Sequence, residues 1–230
     1  MKLPDDMQNL LKQSVDKTIR GHNDLLNESF VAEPKTFKQV SELVSHKSKE
    51  AHTAIYSACI EAFNAASTQL DTASRGEANS SRSLYRSLKV DEALNANAVW
   101  LHELYFANCY DPHSEVVMDS SAFIELQRSF GTFEDWQRDF MACAASTVGW
   151  AICGYSAFFK RYINVFIDDD ASNVMMGVFP LIVIDCHEHA FARDYLTDKK
   201  SYVIAMMREL NWSIIEERFN KAKAIAQAIK

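Results

Sequence analysis

The sequence predicts an α+β fold in which a long-helix pair precedes a small antiparallel sheet and C-terminal helices. Three observations predict it. Apolar residues recur at spacings of three and four through the first half of the chain, the period of helices burying one face. Aromatic and β-branched runs appear only after residue 150, at Trp150 to Phe158, Tyr162 to Ile167 and Leu181 to Ile184. Helical periodicity then returns to the end. Helices grouped ahead of strands, rather than alternating with them, exclude a βαβ architecture.

Taken in order, residues 3–29 carry Leu10, Leu11, Val15, Ile19, Leu25 and Leu26, a sparse helical stripe interrupted by Gly21. Pro34 and Thr36 punctuate the entry to a predicted helix from Phe37 to about Gln69, with Val40, Leu43, Val44, Ala51, Ile55, Cys59, Ile60 and Phe63 on its apolar face. His52 lies beside that face and Tyr56 one turn further on. Residues 71–82 are rich in Ser and Asn and lack large apolar residues, so they read as a loop and the clearest internal boundary. Asp91 is the expected cap of the next helix, through Leu94, Ala98, Leu101, His102, Tyr105 and Phe106, which Pro112 closes. His113 belongs to the turn after it. Thr132 heads a helix using Phe133, Trp136, Phe140 and Cys143, and Gly149 ends it. Among the strand-type runs, Asp168 to Asn173 reads as a solvated hairpin loop. Its three adjacent acids lack the turn glycine and distal Glu of an EF-hand. Ala190 to Leu196, Ser201 to Leu210 and Ile214 to Ile229 complete the helices.

Composition restricts the function. The 230 residues carry a net charge of −7 and are 48% hydrophobic and 24% charged, ordinary for a globular protein. The acidic balance and scattered Lys and Arg argue against nucleic-acid and membrane-surface partners. The five cysteines are widely spaced with no CxxC, which suggests reduced thiols. The first residues do not resemble a secretory signal, and no stretch has the roughly 18 apolar residues of a membrane span. The expectation is a cytoplasmic or particle-associated protein.

Pro180 to His189 stands apart. An apolar run ends in Asp185, Cys186, His187, Glu188 and His189. Buried acids and imidazoles are costly unless paired or bound to a metal. Asp185 and His189, four residues apart, join His52 and His102 as a candidate set of three imidazoles and one carboxylate. That set suits a first-row transition metal such as iron or manganese.

With its surroundings this set resembles the iron/manganese superoxide dismutase family over roughly residues 40–218. Asp185-Cys186-His187-Glu188-His189-Ala190-Phe191 is similar to that family's D-x-W-E-H-A-Y signature. Pro180-Leu181 leads into it as the family's P-L-L strand does. Leu101 to Phe106 resembles the helix of the second histidine ligand. Phe130 to Glu134, Ser146 to Trp150 and Asn211-Trp212 resemble further family segments. The resemblance implies one Fe or Mn ion per chain, superoxide as substrate, and a homodimer in which Glu188 reaches the partner's ligand histidine, with higher assembly open. The expected organisation is an N-terminal helical extension (1–36), read from the sparse stripe, a helical-hairpin domain (37–115) and an α/β C-terminal domain (116–230).

The first-ligand helix fits the family's H-x-x-x-H-x-x-x-Y pattern in two registers. One places His52 on the metal, Tyr56 at the second histidine and Ile60 at the tyrosine. The other makes Tyr56 the tyrosine and leaves Ser48 at the ligand position. His46 has the wrong spacing for either. Elsewhere the chain departs from the family. His187 replaces the signature tryptophan, Ala192 an interface tyrosine and Ala98 one of two glutamine positions. The loop at 168–173 holds no glutamine at the other. Tyr56 and His187 are the candidate residues around the ligands. The implied activity is conversion of superoxide to oxygen and hydrogen peroxide. The alternative is a structural or assembly protein of the same fold without dismutase activity, and a hydrolytic metal centre with Glu188 as base is a third reading.

Overall fold

The computed structural model describes residues 31–37, 42–109 and 114–228. The stripe at 3–29, Val40, Pro112 and His113 lie outside them. Helix α1 spans His46–Thr72 and α2 Leu84–Asn108; α3 (Ser121–Phe130) and α4 (Phe133–Ser146) follow. Strands β1 (Trp150–Ser156), β2 (Arg161–Ile167) and β3 (Val178–Asp185) then precede α5 (Glu188–Tyr195), α6 (Lys199–Arg208) and α7 (Trp212–Ala228). By their contacts the described residues form two units, one from the ranges 34–60 and 93–228, the other from 31–33 and 61–92. Among the described residues of the smaller unit, Leu70, Ala73, Leu88 and Tyr85 pack together, and Ala32 exchanges two hydrogen bonds with the Asn64 side chain.

Helix starts are set by caps, and these move two expected boundaries. Helix α1 begins at His46 rather than near Phe37, because Ser45 caps it: its Oγ accepts from Ser48 N and its carbonyl from Lys49 N. Helix α2 begins at Leu84, so Asp91 is an interior residue rather than the cap. Ser83 does that work, its Oγ accepting from Arg86 N at 3.3 Å. Thr132 caps α4 as its position suggests, accepting from Asp135 N and donating to the Asp135 carboxylate. Helix α3 was not expected. Ser120 accepts from Phe123 N, and the Glu216 carboxylate takes the N–H groups of Ser121 and Ala122 at 2.8 and 2.7 Å, a charge placed well for the helix dipole.

The sheet has the order β2-β1-β3, antiparallel throughout. Every residue of central β1 is buried. Since β2 and β3 occupy opposite edges, the segment at 168–177 crosses between edges and is not the hairpin loop expected from the sequence. Pro180 is tolerated because β3 is an edge strand, facing Gly154 beside a register shift. Only glycine fits at 149, where a Cβ would lie 2.2 Å from the Ile167 carbonyl oxygen. On the other side, Gly149 O accepts from Cys186 N at 2.7 Å, extending the pairing that sets Trp150 opposite Asp185.

Arg218 of α7 ties the elements around Asp185 together. Its guanidinium donates to Asn108 Oδ1 (2.6 Å), the Leu181 carbonyl (2.8 Å) and the Leu104 carbonyl (3.0 Å), joining α7 to α2 and β3. Burial lowers its pKa to about 10, still protonated at neutral pH. Arg218→Met keeps the stem and removes three charge-assisted bonds, so a loss of about 3 kcal/mol is expected. At roughly 2–4 °C per kcal/mol for a chain of this size, thermal melting should fall by about 6–12 °C. An unchanged melting temperature would contradict this role.

Candidate metal centre

Four elements deliver the site. Helix α1 supplies His52, α2 His102, the end of β3 Asp185 and the first turn of α5 His189. One ligand atom from each lies within 4.8 Å of the others. Asp185 is fully buried, with His52 and His102 at 3% and 2% exposure. The His189 side chain, 28% exposed, is the one open toward solvent.

The two oxygens of Asp185 face different partners. Oδ1 accepts from His187 N at 2.9 Å and lies 2.8 Å from His187 Nδ1. Oδ2 faces three ring nitrogens: His52 Nε2 at 2.9 Å, His189 Nε2 at 3.1 Å and His102 Nε2 at 4.0 Å. His102 Nδ1 sits 2.7 Å from the Ala98 carbonyl, which accepts only, so that nitrogen carries the proton and Nε2 presents a lone pair. Burial lowers the His102 pKa to about 4, leaving the ring neutral at neutral pH. Burial alone would raise the Asp185 carboxyl, but His187, His189 and His52 outweigh it and hold the pKa well below the carboxylate range.

The arrangement therefore holds an ionised carboxylate and, at His102 Nε2, a buried lone pair. His52 Nε2 and His102 Nε2 are both buried without a hydrogen bond, although His52 is close enough to Asp185 for an ion pair. Unsatisfied buried nitrogens cost on the order of 1–3 kcal/mol each. A cation among them would engage these lone pairs together with the carboxylate. Three imidazoles and one carboxylate fit a first-row transition ion, and the Ala98 bond is the kind of outer contact that orients a ligand histidine.

The geometry also separates the two registers of α1. His52 brings a nitrogen into the group, whereas Ser48 Oγ is 3.2 Å from Ser45 Oγ. Tyr56 is buried one turn beyond, its ring centre 6.1 Å from that of His102. Its hydroxyl donates to Glu103 Oε1 at 3.0 Å and accepts from Lys35 N at 3.2 Å, while Lys35 Nζ pairs with Glu103. Burial, with Glu103 adding to it, pushes the Tyr56 hydroxyl up to about 12. Ile60 is buried, and Glu188 is exposed in the first turn of α5.

His187 stacks on His189 at 5.0 Å and meets Trp150 edge-on at 5.4 Å. Burial opposes a charge on His187, but Asp185, Asp170 and Asp169 raise its pKa on balance. Asp170 and Trp150 were not singled out from the sequence. The Trp150 indole donates to Asp170 Oδ1 at 2.8 Å, and the Trp150 ring meets His102 edge-on at 4.9 Å. Three successive acids gave no sign of which one turns inward. The positive φ of Asp169 (50°) makes that turn.

Comparison with known proteins agrees with this geometry. Residues 119–218 match the family model of iron/manganese superoxide dismutases, C-terminal domain. The chain is 32% identical over 204 residues to the superoxide dismutase [Fe] of Aquifex pyrophilus, covering 86% of this chain and 95% of that protein. It is 34% identical over 158 residues to the superoxide dismutase [Fe] of Aquifex aeolicus, covering 69% and 74%. It is also 33% identical over 99 residues to the superoxide dismutase [Mn] of Nocardia asteroides, covering 42% and 48%. With a fold, a signature and a nearly full-length relative in agreement, this chain belongs to the iron/manganese superoxide dismutase family.

Proposed function

We propose that the chain is a superoxide dismutase holding one Fe or Mn ion through His52, His102, Asp185 and His189. The observation that carries this reading is the convergence of three imidazole Nε2 atoms on Asp185 Oδ2, two of them buried and without a hydrogen bond. The names of the relatives supply the reaction. Two superoxide anions and two protons become oxygen and hydrogen peroxide; an Fe or Mn ion held by His52, His102, Asp185 and His189 would supply the one-electron redox chemistry this requires.

The chain's own groups do the rest. Asp185 Oδ1, held by His187, keeps the carboxylate from rotating and leaves Oδ2 for the ion. The Ala98 carbonyl fixes the His102 tautomer. Aromatic rings close the interior side: Tyr105, Phe106 and Trp150 lie edge-on or tilted against His52 and His102. The small anion therefore enters beside His189, the partly exposed member. Tyr56, Glu103 and Lys35 form a hydrogen-bonded group whose Tyr56 ring packs 6.1 Å from that of His102.

Glu188 is proposed to pair with the ligand histidine of a second copy, giving a two-fold dimer. Among the described residues no helix is long and apolar enough to cross a membrane. A cytoplasmic location accords with the five free cysteines.

Two outcomes check this reading. Loaded with Fe or Mn, the purified chain should dismutate superoxide and lose activity on chelation, and His102→Ala should abolish both the metal's spectroscopic signal and the turnover. A fully metallated chain without turnover would refute the enzyme reading. Glu188→Ala should shift the chain from dimer toward monomer in analytical ultracentrifugation at micromolar concentration. A dimer of undiminished strength would remove Glu188 from the interface.

A further inference from the structure

We propose that the β1–β2 turn, with the segment that leads into β3, is a docking surface for an anionic phospholipid bilayer. Turns favour Gly, Asn, Asp and Ser, yet the residues joining β1 to β2 are Ala157, Phe158, Phe159 and Lys160. Phe158 is 81% exposed and Phe159 54%, with their rings edge to face at 5.0 Å. Ala157 N donates to the Gly177 carbonyl at 2.9 Å, which sets Met176, 90% exposed, beside the turn. Single exposed apolar residues are ordinary. Two phenylalanines and a methionine gathered at one end of the sheet form a patch, which marks an interaction site. The turn is built to present it. Ser156 is buried, and its Oγ accepts from Phe159 N at 3.2 Å and its carbonyl from Lys160 N at 2.8 Å. Lys160 takes the left-handed conformation, φ 54°, that closes the turn. Backbone bonds thus hold both rings in water, where burial would satisfy them better.

Cations flank the patch. A groove of about 660 Å³ beside it is lined by Arg128, Lys160, Arg161 and Lys223, with Glu125 the one acid among its lining residues. Arg161 donates to the Ser129 carbonyl, and Lys223 is held by Ser121 Oγ and Glu125. Arg128 and Lys160 are exposed and enter no ion pair among the described residues. Exposed rings flanked by free cations match an anionic bilayer. The rings enter the boundary between headgroups and acyl chains, and Lys and Arg meet the phosphates. A second copy fits less well, because a two-fold contact through one patch would bring two sets of cations together. The net charge of −7 and the scattered Lys and Arg argue against such a surface for the chain as a whole. The fold nevertheless gathers four cations from α3, the β1–β2 turn, β2 and α7, and at physiological salt charges beyond about 8 Å are screened. The patch lies at the far end of β1 from Trp150, roughly 20 Å of strand from the residue paired with Asp185.

Co-sedimentation of the purified chain with vesicles tests this, using phosphatidylcholine alone and phosphatidylcholine mixed with phosphatidylglycerol. The chain should bind the mixed vesicles at physiological salt, bind phosphatidylcholine alone about tenfold more weakly, and leave the mixed vesicles at ~1 M salt. The Phe158→Ser/Phe159→Ser variant should lose about tenfold in affinity or more. Arg128→Ala and Lys160→Ala should each lose about fivefold on the mixed vesicles and keep the wild-type affinity for phosphatidylcholine alone. All four positions are exposed, so each variant should melt with the wild type, and a loss of binding then reports the surface. Should the serine variant melt lower, the two alanine variants decide alone. A wild-type chain that does not bind the mixed vesicles would overturn the proposal, as would binding that survives these substitutions. Self-association in analytical ultracentrifugation without vesicles, abolished by Phe158→Ser/Phe159→Ser, would assign the patch to a second copy and overturn it too. Neither metal nor turnover enters these readouts, so they stand apart from the dismutase reading.

Discussion

Asp185 occupies the one place where the sheet, both long helices and α5 have to agree. It is the last residue of β3, wholly buried, with His187 on one carboxylate oxygen and three Nε2 atoms facing the other. A buried carboxylate is unfavourable without compensation, and the His102 Nε2 that faces it is itself buried without a hydrogen bond. The position makes physical sense as half of a cation site. The surrounding structure places it. The Gly149 carbonyl accepts from Cys186 N next to Asp185, Trp150 stands opposite Asp185, and Arg218 binds β3 to the helix that carries His102.

Much of this was legible from residue pattern because the chain keeps its periods separate. Among the described residues, period three-to-four segments became helices, and the aromatic and β-branched runs became the three strands, with only their ends adjusted. Local caps were read less well. Ser45 and Ser83 started the long helices at points that the apolar stripe did not mark, and Asp91 resembled a cap while lying within a helix. The helix at Ser121–Phe130 escaped notice because half of its capping comes from Glu216, almost a hundred residues away. The connection between the second and third strands differed more. Sequence neighbours usually pair, but β1 took the centre and sent the segment at 168–177 across the sheet.

That these four side chains come together was legible for a different reason. His52, His102, Asp185 and His189 each interrupt an apolar face with a group that packing does not need, and the signature around Asp185 supplied the context. The register of α1 was not legible, since both alignments keep the helical period and only the fold separates His52 from Ser48. Nor was Asp170, because the turn that points it inward is a backbone property of Asp169. The departures at Ile60, Ala98, His187 and Ala192 remain as the sequence presented them. The structure adds that His187 binds Asp185 and stacks on His189, so this substitution stands in contact with the proposed ligand set.

The central claim is that these four side chains share one metal ion, and X-ray absorption at the metal edge of the Fe- or Mn-loaded chain tests it most directly. The account predicts one ion per chain with a first shell of three imidazole nitrogens and a carboxylate oxygen, the imidazole scattering falling by about a third in a His52→Ala chain that still holds metal. A first shell of oxygens alone, or an imidazole contribution unchanged by that substitution, would contradict it.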